Sequence, residues 1–240
     1  MAGKEGLPMN RELESYIEEL EHHEFFKCFS TEELNYFKSN VVIHQYRKGQ
    51  ILFFQEDPKM FSYYLLKGLI KLETTNSSGD YTYVDYVQEH NYFPYSESLD
   101  RQNYGYTAYA RTDVDLMMIS NKIMTEIMTS NVDLLIYMFK KLSNISVFLE
   151  KRIQMGSTPS ASDRVVQALA IWMYDMGVTQ KDKMVILHPL TINELAQVAG
   201  TTRETAGKVV KQIHKEGLIN FTRQGIYYLK PDYFNDLMFN

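Results

Sequence analysis

The apolar positions of this chain change period three times. From Arg11 to Glu24 and again from Thr31 to Ser39 they follow helical spacing, with Ser30 or Thr31 as the cap of the second segment. From Val41 onward they fall into short β-branched and aromatic runs: Val41–Tyr46, Ile51–Phe54, Ser62–Lys67, Leu69–Thr74, Tyr81–Val87, Tyr104–Arg111 and Asp115–Ile119. Lys48-Gly49, Asp57-Pro58, Lys67-Gly68 and Ser77-Ser78-Gly79-Asp80 separate these runs as turns. Strands at this spacing predict a small antiparallel barrel or jelly roll.

Asn131 to Gln154 returns to the helical period as one long helix. Leu135, Met138, Leu142, Ile145, Leu149 and Ile153 recur at spacings of 3, 4, 3, 4 and 4, close to a heptad seam. Such a seam fits a helix buried on its own domain or a helix pair across a two-fold axis. A second stripe, Val132, Ile136, Phe139 and Phe148, is expected to cover the strands. Gly156-Ser157-Thr158-Pro159 then breaks the helix and forms an interdomain hinge. Ser160 with Asp163 caps a further helix that runs through Trp172 and ends at Gly177.

The densest local signal lies beyond it. Thr191 and Glu194 form a capping box for a short helix carrying Ile192, Leu195 and Val198, and Gly200 stops that helix. Thr201 and Glu204 are expected to cap the next helix, whose Ala206, Val209, Val210 and Ile213 keep helical spacing and pack inward. Arg203, Glu204, Lys208 and Lys211 are left pointing outward. The pattern fits a helical hairpin with a solvated face, or a helix-turn-helix whose second helix enters a DNA groove. Leu218–Phe221 and Ile226–Leu229 flank Thr222-Arg223-Gln224-Gly225, a hairpin placed like a wing.

Composition narrows the class. The chain has 240 residues, 45% of them hydrophobic and 23% charged, enough for two domains of soluble type. No window of 18 apolar residues exists and the N-terminus is polar, so neither a membrane span nor a signal peptide is expected. A single cysteine, Cys28, excludes an internal disulfide and suits the cytoplasm. Net charge is −5, yet residues 190–231 hold six basic and three acidic side chains, which makes that segment +3 and the remainder −8. A local basic face on an acidic body fits a DNA reader. No Gly-x-Ser-x-Gly, His-Glu-x-x-His or Walker-type loop is present, so an enzyme is not expected, nor a metal site or bound cofactor.

Gly200 through Lys211, with its Arg-Glu-Thr-x-Gly-Lys core, resembles the recognition segment of the CRP/FNR family of bacterial transcription regulators. Tyr46-Arg-Lys-Gly49-Gln-Ile-Leu-Phe-Phe-Gln and Tyr64-Leu-Leu-Lys-Gly68-Leu-Ile-Lys-Leu are similar to that family's cyclic-nucleotide-binding roll. The resemblance implies an α+β chain with an N-terminal antiparallel β-roll sensor (1–130), a dimerisation helix (131–156) and a C-terminal winged helix-turn-helix domain (157–240). It also implies a homodimer on double-stranded DNA, working with RNA polymerase. Arg203, Glu204 and Lys208 fall on the family's base-reading positions. Arginine suits a guanine edge and glutamate a cytosine amino group, whereas Lys208, replacing the usual arginine, cannot form a bidentate contact. Thr191, Thr202, Lys211 and Arg223 suit the DNA backbone. The Arg-Glu pair resembles the branch reading TGTGA half-sites.

In the roll, the stretches that hold cyclic AMP in family members are replaced here by Phe93-Pro94-Tyr95-Ser96 and Tyr106-Thr107-Ala108. Tyr95 and Tyr106 stand where the family has its ribose-binding glutamate and phosphate-binding arginine. A buried phosphate without its arginine is unfavourable, so cyclic AMP is not expected to bind. Arg101 in the nearby loop is a weaker substitute. Tyr95, Ser96, Tyr106 and Thr107 are the candidate lining of any other effector pocket, although the surrounding tyrosines suit filling of the roll. One cysteine cannot hold an iron–sulfur cluster, and His44 and His90 stand isolated in the sequence. A cyclic-nucleotide-regulated enzyme or anchoring subunit would need the missing arginine. Within the family the chain is similar to the Gram-positive regulators of arginine-deiminase genes and, more loosely, to PrfA-like virulence regulators, which implies anaerobic arginine catabolism or virulence genes as targets.

Overall fold

Alternation along one strand sets the plan of the roll. In β3 (Phe61–Lys67), Tyr63 and Leu65 belong to one buried cluster, whereas Tyr64 and Leu66 belong to another. The computed structural model describes residues 11–76, 82–95 and 102–239. Two four-stranded antiparallel sheets form the roll. The first has the order β1 (Val41–Tyr46), β8 (Val114–Ser120), β3, β6 (Tyr92–Phe93). The second has the order β2 (Ile51–Phe53), β7 (Thr107–Ala110), β4 (Ile70–Thr75), β5 (Thr82–Val87). Pairs such as Tyr63 with Met118 and Leu72 with Ala108 fix the register. Because side chains alternate, a slip of one residue would exchange the two clusters.

The inner cluster fills the roll with rings. Phe53 stacks on Tyr104 with centroids 3.7 Å apart, and Tyr63 lies 5.5 Å from Phe53 and 5.2 Å from Phe93. Tyr104 satisfies its hydroxyl by donating to the Phe61 carbonyl at 2.8 Å. The outer cluster joins the other face of the first sheet to α1 (Arg11–Leu20), α2 (Glu24–Lys27), α3 (Thr31–Asn40), α4 (Asn121–Ser130) and the first part of α5 (Val132–Gly156). Ser30 caps α3 with a full capping box through Glu33. Asn131 ties this layer together by donating to the Cys28 carbonyl at 2.8 Å and to Glu33 at 2.7 Å.

The chain divides into two compact units. One runs up to Thr74 and over Asp85–Asn144, and the other takes Thr75–Val84 and everything from Ile145. The division falls inside α5, between Asn144 and Ile145.

The second unit is built on α6 (Ala161–Met176), whose Val165, Leu169, Trp172, Met173 and Met176 are buried. Around it lie α7 (Ile192–Val198), α8 (Arg203–Lys215), α9 (Pro231–Phe239) and a sheet of order β11 (Ile219–Phe221), β12 (Ile226–Tyr228), β10 (Lys183–Ile186), β9 (Val178–Gln180). Tyr228 donates from its hydroxyl to the Leu169 carbonyl at 2.8 Å and meets Phe234 edge-on at 5.0 Å. Burial of that phenol pushes its pKa well up.

Three expectations change in this part of the chain. The first helix stops at Leu20 and not at Glu24, because the chain turns at residues 21–23 before the short α2. Val132, Ile136 and Phe139 do not cover the roll but lie exposed. Phe148 instead stacks on Tyr174 at 6.1 Å. His90 is not isolated, since its ring lies 4.3 Å from that of His23.

Candidate nucleic-acid interface

α7 begins with the reciprocal cap that the sequence predicts. The Thr191 hydroxyl accepts from the Glu194 N–H at 3.2 Å, and the Glu194 carboxylate accepts from the Thr191 N–H at 2.8 Å and its hydroxyl at 2.7 Å. The helix ends at Val198 with Ala199 as its C-cap, and Gly200 takes φ of +57°, a conformation that costs glycine little. α8 is capped by Thr202, not Thr201: the Thr202 hydroxyl accepts from the Thr205 N–H at 3.2 Å. Arg203 is therefore the first residue of the helix. The backbone N–H groups of its opening turn lack intrahelical acceptors and suit an anion.

The two faces of α8 divide cleanly. Ala206, Val209, Val210 and Ile213 are buried, whereas Thr202, Arg203, Glu204, Lys208 and Lys211 are exposed. Lys208 Nζ lies 2.7 Å from the Glu204 carboxylate one turn away. Arg203, Glu204 and Lys208 thus share a solvent-facing surface on the first two turns. In the hairpin beyond, the Thr222 hydroxyl donates to the Gly225 carbonyl at 2.9 Å and accepts from the Gln224 and Gly225 N–H groups. Arg223 is exposed at its tip. A Cβ on Gly225 would come 2.2 Å from the Ile186 carbonyl oxygen, so the hairpin can sit against β10 only with glycine there. Thr191 is exposed at the start of α7 with its hydroxyl already engaged in the cap.

The cyclic nucleotide-binding domain family matches residues 43–131, and the Crp-like helix-turn-helix domain family matches residues 164–237. The chain belongs to the CRP/FNR family of transcription regulators. This regulator is 28% identical over 180 residues to the HTH-type transcriptional regulator ArcR of Staphylococcus haemolyticus (strain JCSC1435), covering 75% of this chain and 79% of that one. It is 27% identical over 184 residues to ArcR of Staphylococcus aureus (strain JH1), covering 76% and 78%. Among solved structures it resembles FixK2 from Bradyrhizobium japonicum, with a TM-score of 0.69 at 15% identity over 82% of this chain and 96% of that one, a likeness of fold. No helix among the described residues is long and apolar enough to cross a membrane.

The regulator's predicted seam on α5 is not one surface. Met138 is only 5% exposed and packs in the outer cluster of its own unit, and Leu135, Ile145 and Leu149 are half-buried. Leu142 lies at the margin, and Ile153 is 70% exposed. Among the bare apolar positions are Val132, Ile136 and Phe139, the last 70% exposed. Their 4 and 3 spacing was visible in the sequence, but period alone does not say which stripe faces inward.

The three candidate effector residues that are described do not converge. Tyr95 packs with the outer cluster and Tyr106 with the inner one, 5.9 Å from Phe53. Thr107 accepts from the Gln55 N–H at 3.0 Å, and Ser96 and Arg101 lie outside the described residues. Burial raises the phenol pKa of Tyr95 well above its ordinary value and brings that of Tyr137 to about 12. Burial, then the nearby Asp133 and Glu24 carboxylates, also push the Cys28 thiol up. A thiol held protonated is a poor redox switch.

Proposed function

We propose that this regulator binds a near-palindromic TGTGA-N6-TCACA site as a homodimer, with half-sites about one helical turn (roughly 34 Å) apart. The exposed group of Arg203, Glu204 and Lys208 on the first two turns of α8, opposite a fully packed face, carries this reading. Arg203 donates two hydrogen bonds to a guanine, Glu204 accepts from a cytosine amino group, and Lys208 adds a looser point-charge contact. Thr191, Thr202, Lys211 and Arg223 hold the DNA backbone. Two chains pair along the bare side of α5, with Val132, Ile136 and Phe139 joining Leu142, Leu149 and Ile153. The dimer acts in the cytoplasm and engages RNA polymerase at promoters whose genes, by family resemblance, serve arginine catabolism or virulence.

Cyclic AMP is not the signal in this reading. Tyr95 and Tyr106 leave a phosphate in the roll without the arginine that family members supply, and the roll interior is taken by the stacked rings of Phe53, Tyr63 and Tyr104. A different small molecule or peptide acting on the roll is the second reading. The test is a gel-shift series with the TGTGA palindrome, with and without cyclic AMP, across a range of salt. Steep salt dependence and sequence preference unchanged by cyclic AMP are expected. Equal affinity for palindrome and scrambled duplex would refute the reading.

A further inference from the structure

Arg164, in the first turns of α6, makes an unusual set of main-chain contacts. Its Nε donates to the Ala199 carbonyl at 3.0 Å and its Nη2 to the Gly200 carbonyl at 3.2 Å. Its Nη1 donates to the carbonyls of Thr158 at 2.9 Å and Pro159 at 3.0 Å. One side chain thus joins two backbone segments of the second unit: the hinge before α6 and the turn between α7 and α8.

The acceptors explain why an arginine stands here. Carbonyls at the end of α7 have no intrahelical donor, and a cation there also meets the negative end of the helix dipole. In the turn, the Gly200 N–H bonds the Gln197 carbonyl at 3.2 Å and the Thr201 N–H bonds the Ala196 carbonyl at 3.0 Å. The Ala199 and Gly200 oxygens are left to Arg164. A planar guanidinium offers five donors in a fixed fork and can serve two adjacent carbonyls from one edge and two more from the other. Lysine has one donor atom and glutamine one amide, so neither spans all four.

We propose that Arg164 is a positioning residue for operator recognition. It fixes the turn from which α8 departs against the hinge at 158–159, so that the hinge conformation is felt at Arg203, only three residues beyond Gly200. The inference rests on α8 being the DNA reader. A residue that merely stabilised the fold would weaken all binding in proportion to lost folded protein. A positioning residue acts on the match to bases, because misplacement on the scale of 1 Å is enough to spoil directional contacts.

The experiment begins by selecting a preferred duplex from a random pool with the wild-type chain. Arg164→Lys and Arg164→Gln are then measured on that duplex and on a scrambled one at matched salt, at a temperature where melting curves show each variant folded. Hydrogen exchange is followed over residues 157–160 and 196–202. Both variants should bind the selected duplex at least about ten-fold more weakly. Binding to scrambled DNA should stay within about two-fold, since phosphate contacts tolerate small shifts. Exchange should accelerate at the hinge and the turn together. A wild-type ratio of selected to scrambled affinity in either folded variant overturns the proposal, whether both affinities hold or both fall. A wild-type chain that enriches no sequence removes the DNA-reading itself, and the proposal with it.

Discussion

Lys208 and Glu204 form an ion pair of 2.7 Å on the open side of α8, with both side chains more than 70% exposed. An exposed pair of this kind contributes about 0.3–0.5 kcal/mol, so it restrains both groups weakly and can open as DNA approaches. Lys208→Arg should keep the pair, tighten operator binding and sharpen preference at one base pair, because a guanidinium can bond two guanine acceptors at once. Gel shifts against duplexes varied at each position check this. Unchanged preference at every position would mean that residue 208 does not meet a base.

Arg203 and Lys211 should fail in different ways. Arg203→Ala should cost about 1–3 kcal/mol on the preferred site and relax discrimination at one guanine. Lys211→Ala should weaken binding to all sequences alike and reduce the slope of log affinity against log salt by about 1. Salt titrations with specific and scrambled duplexes separate the two. Identical behaviour of the two variants would contradict the assignment of reading and anchoring roles.

On α5, Phe139 and Met138 are sequence neighbours with opposite fates, 70% and 5% exposed. Phe139→Asp should leave the unfolding midpoint of the isolated chain nearly unchanged and shift the protein from dimer to monomer in sedimentation. Met138→Ala should instead lower stability by about 2–5 kcal/mol through the cavity it leaves. A Phe139→Asp protein that remained dimeric would place the contact elsewhere.

The His23–His90 pair supplies a pH dependence. Burial first, and then the neighbouring His23, hold the His90 imidazole below its ordinary value, while Glu89 and Glu19 oppose the shift. A base with a depressed folded pKa binds fewer protons folded than unfolded. Its contribution is intact above the unfolded value of 6.5 and is lost as pH falls from there toward the depressed value. Urea midpoints should therefore drop as pH falls below 6.5, and His90→Gln should reduce that drop. Equal pH slopes in the two proteins would show that the pair is not responsible.

Most elements were legible in the sequence because their residues agree locally. β1 occupies the predicted Val41–Tyr46, and α7 starts at the predicted Thr191 cap. What escaped has specific causes. β9 and β10 are joined by Lys181 and Asp182, both at positive φ, a tight turn made without the Asn-Gly or Asp-Gly pair that announces one. α4 follows β8 with no separating turn, so its buried Met124, Ile127 and Met128 read as a continuation of apolar sequence. α9 opens with Pro231 at its first position, a legitimate helix start easily mistaken for a stop. At the candidate interface Arg203, Glu204 and Lys208 lie exposed, as the spacing of their apolar neighbours predicts. Arg164 escaped because its partners are backbone oxygens 5, 6, 35 and 36 residues away, and carbonyls leave no trace in side-chain patterns.

The bare row of Val132, Ile136 and Phe139 has a bearing on dosage. If pairing covers it, only joined chains are competent, and well below the dissociation constant their number rises with the square of the amount synthesised. Modest changes in expression would then be amplified at the promoter before any effector is met.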